Sequence, residues 1–196
     1  GWFYYENPSD LVKGFFVTAA HCTMGVKNQS YISISQAYIL NPITSKWHKI
    51  DTNNIYVDGV GDIALIKTNI DLTDYLNVFL QLEDNEIKVG DVCYIFGNPG
   101  DHNSRALTTC NIKSLSYCDT TGFNQVESIE ITCADTTSGS PIISSTGKVI
   151  SMCTFSSGGP GINTLKSSLE KLKTCQHNKE KRFLGLDWYV PSPFQI

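Results

Sequence analysis

Short apolar runs, each closed by a turn signal, recur along nearly the whole chain, and this pattern favours antiparallel β structure over any helical design. Gly1 to Tyr5 reads as an aromatic strand, Glu6 to Lys13 as a turn around Asn7-Pro8-Ser9-Asp10, and Phe15 to Thr18 as the returning arm. Tyr31 to Leu40 alternates as a strand and breaks at Asn41-Pro42. Trp47 to Val57 and the apolar run Ile63 to Lys67 follow. Ile70 to Glu86 is a polar crossover, docked by Phe79, Leu80 and Leu82. A second group of strands comprises Val92 to Gly97, Arg105 to Tyr117, Val126 to Thr132, Ile142 to Ser144 and Lys148 to Phe155. Turns at Asn98-Pro99-Gly100-Asp101 and Ser145-Thr146-Gly147 separate them, and Ser156 to Gly161 reads as a glycine-rich loop. Only Ile162 to Leu172, with Leu165, Leu169 and Leu172 at helical spacing, predicts a helix. The expected class is all-β, with two barrels.

Composition narrows the function classes. The 196 residues are 41% hydrophobic and 17% charged, a globular balance. A net charge of −4 offers no basic footprint for nucleic acid. No apolar run approaches the roughly 20 residues of a membrane-crossing helix. Seven cysteines cannot all pair within one chain. Cys93 and Cys153 lie in apolar strand-like runs, which suits buried free thiols, and a reducing site of synthesis is expected. Cys175-Gln176-His177 lacks a second ligand pair, so neither metal nor cofactor is expected.

Three stretches carry chemistry. In Asp135-Thr136-Thr137-Ser138-Gly139-Ser140-Pro141-Ile142, small residues surround Ser138, and Gly139 permits a tight turn. Such a turn projects a hydroxyl and aims backbone N–H groups at one spot, where an oxyanion can be held. Phe15-Phe16-Val17-Thr18-Ala19-Ala20-His21-Cys22 delivers a histidine at the end of an apolar strand. Gly59-Val60-Gly61-Asp62-Ile63-Ala64-Leu65-Ile66 sets an aspartate before another. Base, orienting carboxylate and nucleophile thus occur in the order His, Asp, Ser. His48, His102 and His177 lack comparable contexts and read as surface residues, and Asp101-His102 is a weaker acid–base pair. A lipase-type reading fails, because no G-x-S-x-G elbow is present and the triad order differs.

The motifs TAAHC, GDIALIK and TTSGSPI together resemble the trypsin-like serine proteases, and within them the HtrA (DegP) branch. The run Tyr94 to Gly100 resembles the step that opens the second barrel of HtrA proteases. The tyrosine-, asparagine- and isoleucine-rich composition is also similar to that of trypsin-like proteins of large DNA viruses, which would suit packaging in a virion. The resemblance implies two six-stranded antiparallel barrels with a short C-terminal helix. The first would span about 1–70 and the second about 88–175, and tail 176–196, with Leu184-Gly185-Leu186, would either lead to a PDZ-like module or form a C-terminal strand on the protease surface. It also implies a chain that is part of something longer, because family members place strand residues before the position of Gly1. The implied roles are His21 as base, Asp62 as its orienting partner and Ser138 as nucleophile. The N–H groups of Thr136 and Ser138 would form the oxyanion hole. Thr132, Cys153, Thr154 and Phe155 would line a primary pocket for small to medium apolar side chains. The implied partners are a peptide or protein substrate and, in some relatives, further copies of the chain. One departure stands out. The family has glycine where this chain has Thr136, so a protease fold that binds peptide or scaffolds without cleaving is the rival reading.

Overall fold

The computed structural model describes residues 1–27, 30–97, 106–118, 126–133 and 136–175. Strand β1 (Trp2–Tyr4) pairs antiparallel with β2 (Phe15–Ala19), Trp2 opposite Val17. The segment between them is a 3-10 helix over Pro8–Lys13, more ordered than the expected turn. Pro8 presets its first φ angle, and the Asp10 carboxylate accepts the N–H groups of Glu6 and Asn7, each at 3.1 Å. Gly14 ends it at φ 55, where a Cβ would lie 2.4 Å from Thr68 Oγ1.

The two long strands expected next are each broken in two. Before the first comes a strand the sequence reading did not expect, β3 (Met24–Lys27); the first itself becomes β4 (Ser30–Ser33), paired with β3 in a separate two-stranded sheet, and β5 (Ala37–Leu40). The second becomes β6 (Trp47–Ile50) and β7 (Ile55–Asp58). Between those two, the Asp51 side chain accepts Asn53 N–H at 2.9 Å and closes a 3-10 turn over Thr52–Asn54. Strand β5 pairs with β6 across a loop that Asn41 organises, its Oδ1 accepting Ile43 N–H at 2.8 Å. The apolar run β8 (Ile63–Lys67) sits between β7 and β2. The short β9 (Phe79–Leu80), from the crossover, adds parallel to β1, giving a five-stranded sheet in the order β7-β8-β2-β1-β9.

The second group forms one six-stranded sheet. It contains β10 (Val92–Gly97), β11 (Ala106–Cys118), β12 (Val126–Ile131), β13 (Pro141–Ser144), β14 (Val149–Met152) and β15 (Gly158–Pro160). Its order is β14-β13-β10-β11-β12-β15. Strand β15 corrects the expected loop over Ser156 to Gly161. The glycines are there for close approach, because a Cβ at Gly159 would lie 1.6 Å from Met152 O. The chain is therefore mostly β, with one α-helix, α1 (Ile162–Thr174), among the described residues. The first half departs from six antiparallel strands through its parallel edge pair and two separate hairpins.

The largest core cluster draws on both sheets. Trp2, Phe15, Val17 and Leu65 meet Val149 and Met152, and Leu165, Leu169 and Leu172 of α1 seal it. Burial of each such side chain contributes about 1.5–3 kcal/mol. A second cluster lies within the six-stranded sheet, built from Ile95, Ile112, Ile129, Ile131, Ile142 and Ile150 with Cys93 and Cys153. At the end of α1, Lys173 Nζ reaches Asp10 Oδ2 at 2.8 Å and Glu6 Oε2 at 3.1 Å. Burial would raise the Asp10 carboxyl pKa, but Lys173 and the two backbone N–H groups outweigh it and hold the pKa down.

Candidate active site

Strand β2 is buried at Phe15, Val17, Thr18 and Ala19, and it runs directly into a 3-10 turn over Ala20–Thr23. Thr23 Oγ1 donates to Ala20 O at 2.7 Å and closes that turn, leaving His21 partly exposed. On β8, Ile63 pairs with Ala19, so the residue before β8 lies beside the histidine turn. That residue is Asp62, held at φ 55 in the left-handed region, which aspartate tolerates better than most residues. Its carboxylate makes two contacts with one residue. Oδ1 accepts the His21 backbone N–H at 2.9 Å, and Oδ2 lies 2.6 Å from His21 Nδ1. Its own carbonyl accepts Ala20 N–H at 2.9 Å. The Asp62 hydrogen bond is the main cause that raises the His21 pKa to about 10, with the neighbouring Cys22 thiol adding to it and burial opposing it. Cys22 itself is free and exposed.

Ser138 sits in a four-residue turn closed by Ser140 N–H donating to Thr137 O at 3.1 Å. Gly139 has φ 83, the positive value a type II turn demands at its third position. The turn is fixed to the neighbouring strand end by Gly139 N–H to Cys153 O at 2.7 Å and Cys153 N–H to Ser140 O at 2.9 Å. A Cβ at Gly139 would fall 2.3 Å from Thr18 Oγ1 and 3.3 Å from Ala19 N. The serine turn therefore packs on the end of β2, two to three residues before His21, and the Ser138 side chain is exposed there.

Thr136 departs from the expected oxyanion geometry. Its N–H donates to Ser156 O at 3.3 Å instead of standing open, and its Oγ1 donates to Phe155 O at 3.0 Å. The β-branched side chain supplies a second anchor that glycine could not. Of the expected pocket residues, Cys153 is fully buried behind the serine turn and Thr154 is half-buried. Phe155 is exposed, in a tight loop where its N–H donates to Gly158 O at 3.3 Å. Thr132 bonds across to β11, its Oγ1 accepting Asn111 N–H at 2.9 Å. His48 is half-buried, with Nε2 3.1 Å from Thr68 O, and so is not a free surface residue. His102, His177 and the Asp101-His102 pair lie outside the described residues, as does tail 176–196.

The sequence reading missed two features. Cys110 and Cys133 form a disulfide that ties β11 to the segment leading toward the serine turn, while the buried Cys93 and Cys153 remain thiols. Only spatial proximity could have paired those two among seven. The second is Glu83, buried under the Ser144–Thr146 turn. Burial pushes its carboxyl pKa up, but hydrogen bonds from Ser144, Thr146 and the N–H groups of Asn85 and Asp84 bring it down to about 2. It anchors the β13–β14 turn and is remote in sequence from every motif.

Residues 1–152 match the trypsin-like peptidase domain family. The chain belongs to that family. Its members are serine-type endopeptidases, and solved structures with the same fold include HtrA-type and Deg proteins. Deg5 is 19% identical, with 83% of this chain and 79% of that chain covered and a TM-score of 0.58. The HtrA-type protease AlgW, solved with a decapeptide, is 20% identical over 83% of this chain, with a TM-score of 0.59. A serine endoprotease from Yersinia pestis is 20% identical over 82%, with a TM-score of 0.54. This trypsin-like peptidase spans 48% of the AlgW chain and 54% of the Yersinia chain. No curated sequence matches it. No described helix is long and apolar enough to cross a membrane.

Proposed function

We propose that this trypsin-like peptidase cleaves peptide bonds through His21, Asp62 and Ser138 by way of an acyl-enzyme. The observation that carries the reading is the grip of one carboxylate on both the backbone and the ring of His21, beside a tight serine turn that packs on the same strand end. When the His21 ring is neutral, the Asp62 carboxylate accepting from Nδ1–H fixes the tautomer in which the Nε2 lone pair can take a proton. Ser138 Oγ adds to the substrate carbonyl carbon as its proton passes to His21 Nε2. The tetrahedral intermediate collapses, the C–N bond breaks, and His21 gives the proton to the leaving amine. Water, deprotonated by His21, then cleaves the ester and restores Ser138. The base and its carboxylate belong to a first unit of about 1–70 and the nucleophile to a second of about 88–175, an assignment resting on the strand groups. A serine-directed fluorophosphonate tests the chemistry. It is expected to label the wild type and not Ser138→Ala or His21→Ala. Equal labelling of all three would sink the triad and favour a binding module.

One observation favours a switched state. Thr136 N–H is held by Ser156 O, so an oxyanion hole built from Ser138 and Thr136 would lack its second donor in this arrangement. A missing donor typically costs about 10²–10³ in turnover. We infer that the resting enzyme is slow and that a peptide or partner speeds it by turning this N–H inward. Thr136→Gly removes the Oγ1 anchor and frees the peptide unit, so turnover of an apolar peptide is expected to rise at least about tenfold. Brisk wild-type turnover with no gain in the variant would remove the switch and leave the triad standing.

A further inference from the structure

The Cys110–Cys133 disulfide pins the chain just before the serine turn. Cys133 stands three residues before Thr136 and five before Ser138. Pairing and packing already join the segments that the bond connects. Ile112 lies opposite Ile131 on the β11–β12 ladder, and the isoleucines around Cys110 bury that seam. Thr132 exchanges two bonds with Asn111, its N–H donating to Asn111 O and its Oγ1 accepting Asn111 N–H, both at 2.9 Å. What the disulfide adds locally is a fixed point at Cys133.

That fixed point bears on Thr136. On the far side, the serine turn is fastened through Gly139 and Ser140, both bonded to the backbone of Cys153. The chain from Cys133 to the turn is thus held at both ends. A peptide unit within so short a span turns only if neighbouring dihedrals compensate. Within it Thr136 keeps its N–H on Ser156 O at 3.3 Å, the long end of hydrogen-bond range, and its Oγ1 on Phe155 O at 3.0 Å. The anchor at Cys133 removes the slack through which those two bonds would be lost. The two sulfurs differ in access, since Cys110 is buried and Cys133 is half-buried. Cys93 lies directly opposite Cys110 in the β10–β11 register, but burial pushes its thiol pKa up to about 11. Little of it is thiolate at neutral pH, so it does not displace Cys133 from the bond.

We propose that the Cys110–Cys133 disulfide is a redox switch on the oxyanion loop, which a small dithiol opens, releasing the chain at Cys133 so that Thr136 N–H turns toward Ser138 and turnover rises. This rests on the protease reading and the Thr136 switch above, and names what holds that switch. A thiolate of the dithiol attacks Cys133 Sγ, the S–S bond breaks, and Cys110 leaves as a thiolate that takes up a proton. The second thiol then displaces Cys133, so the protein gains two electrons and two protons and the dithiol departs as its cyclic disulfide.

The test compares oxidised wild type with the same protein treated with dithiothreitol, opening of the bond being counted by alkylation and intact mass. Reduction is expected to raise kcat on an apolar peptide about tenfold, part of what a regained oxyanion donor supplies, and reoxidation to reverse it. Cys133→Ser should be fast from the outset and unresponsive to dithiothreitol. An equal rise in Cys133→Ser would place the effect at another thiol and overturn the proposal. So would an opened bond with unchanged turnover while Thr136→Gly still gains, a result that leaves the Thr136 switch standing. Loss of the far-ultraviolet circular dichroism signal on reduction would make the bond a structural staple and overturn the proposal too. Amide hydrogen exchange at Thr136 in Ser138→Ala does not depend on turnover and should quicken by about tenfold on reduction. If no form cleaves peptide, the protease reading fails, and faster exchange at Thr136 still upholds Cys133 as the anchor. Unchanged exchange overturns it.

Discussion

Asp62→Asn is expected to lower peptide turnover by about four orders of magnitude while leaving the fold in place. Asparagine tolerates the left-handed φ of 55 almost as well as aspartate, so the turn before β8 survives. Its carbonyl can still accept the His21 backbone N–H. Its amide NH₂ then faces Nδ1, which must become an acceptor, so the ring proton moves to Nε2. A ring protonated at Nε2 cannot take the Ser138 proton. The ionisation of His21 moves as well. In the wild type its pKa of about 10 lies above the ordinary 6.5, so His21 is charged in the resting site at neutral pH. The rate should therefore climb as pH rises toward 10, where the neutral base accumulates. Stability runs the opposite way. The folded pKa is raised, so the His21–Asp62 pair contributes fully below pH 6.5 and its contribution is lost as pH rises through about 10. In Asp62→Asn both slopes should shrink as the His21 pKa falls back toward 6.5. Rate–pH and urea–pH series on the two proteins, each repeated in a Thr136→Gly background, measure this. Turnover within tenfold of wild type would be incompatible with Asp62 as the orienting carboxylate.

Phe15→Ala is expected to cost about 3–5 kcal/mol of stability, the usual range for removing a buried phenylalanine. The ring is fully buried in the cluster shared by both sheets and α1, so several elements would border the void. For a chain of this size the melting temperature should drop by roughly 6–20 °C. Because Trp2 and Met152 sit in the same cluster, the loss should be felt everywhere at once. Tryptophan fluorescence and far-ultraviolet circular dichroism should report one coincident transition. Two separated transitions, or a loss below about 1 kcal/mol, would show that the sheets do not depend on this core.

Much of the layout was legible because local pattern and tertiary environment agree. The run into His21 is apolar and ends in a helical turn, and Ile63 to Lys67 is apolar and lies between two strands. The helix showed its leucine spacing and runs only two residues beyond the expected end. What local pattern could not carry was pairing at a distance. Phe79-Leu80 reads as a docking dipeptide, and only the neighbouring β1 makes it a parallel strand. Gly158–Pro160 has loop composition because two adjacent backbones leave no room for side chains. At the site, His21, Asp62 and Ser138 carried their own motifs. The bond from Thr136 to Ser156 joins residues 20 apart, and no spacing rule reports it.

The histidine and the serine arrive on different sheets, and the cluster of Trp2, Phe15, Leu65, Met152 and Leu165 lies between those sheets as a spacer. On the proposed triad reading, the gap across which a proton would pass is then set by this packed hydrocarbon together with the seating of the serine turn on Thr18 and Ala19. Misplacement of a reacting group by about 1 Å can cost on the order of a hundredfold in rate, whereas a well-packed core absorbs a conservative change for less than about 1.5 kcal/mol. On that reading, catalytic rate would be a finer gauge of interior volume than melting temperature, and residues that never touch a substrate would carry part of its alignment tolerance.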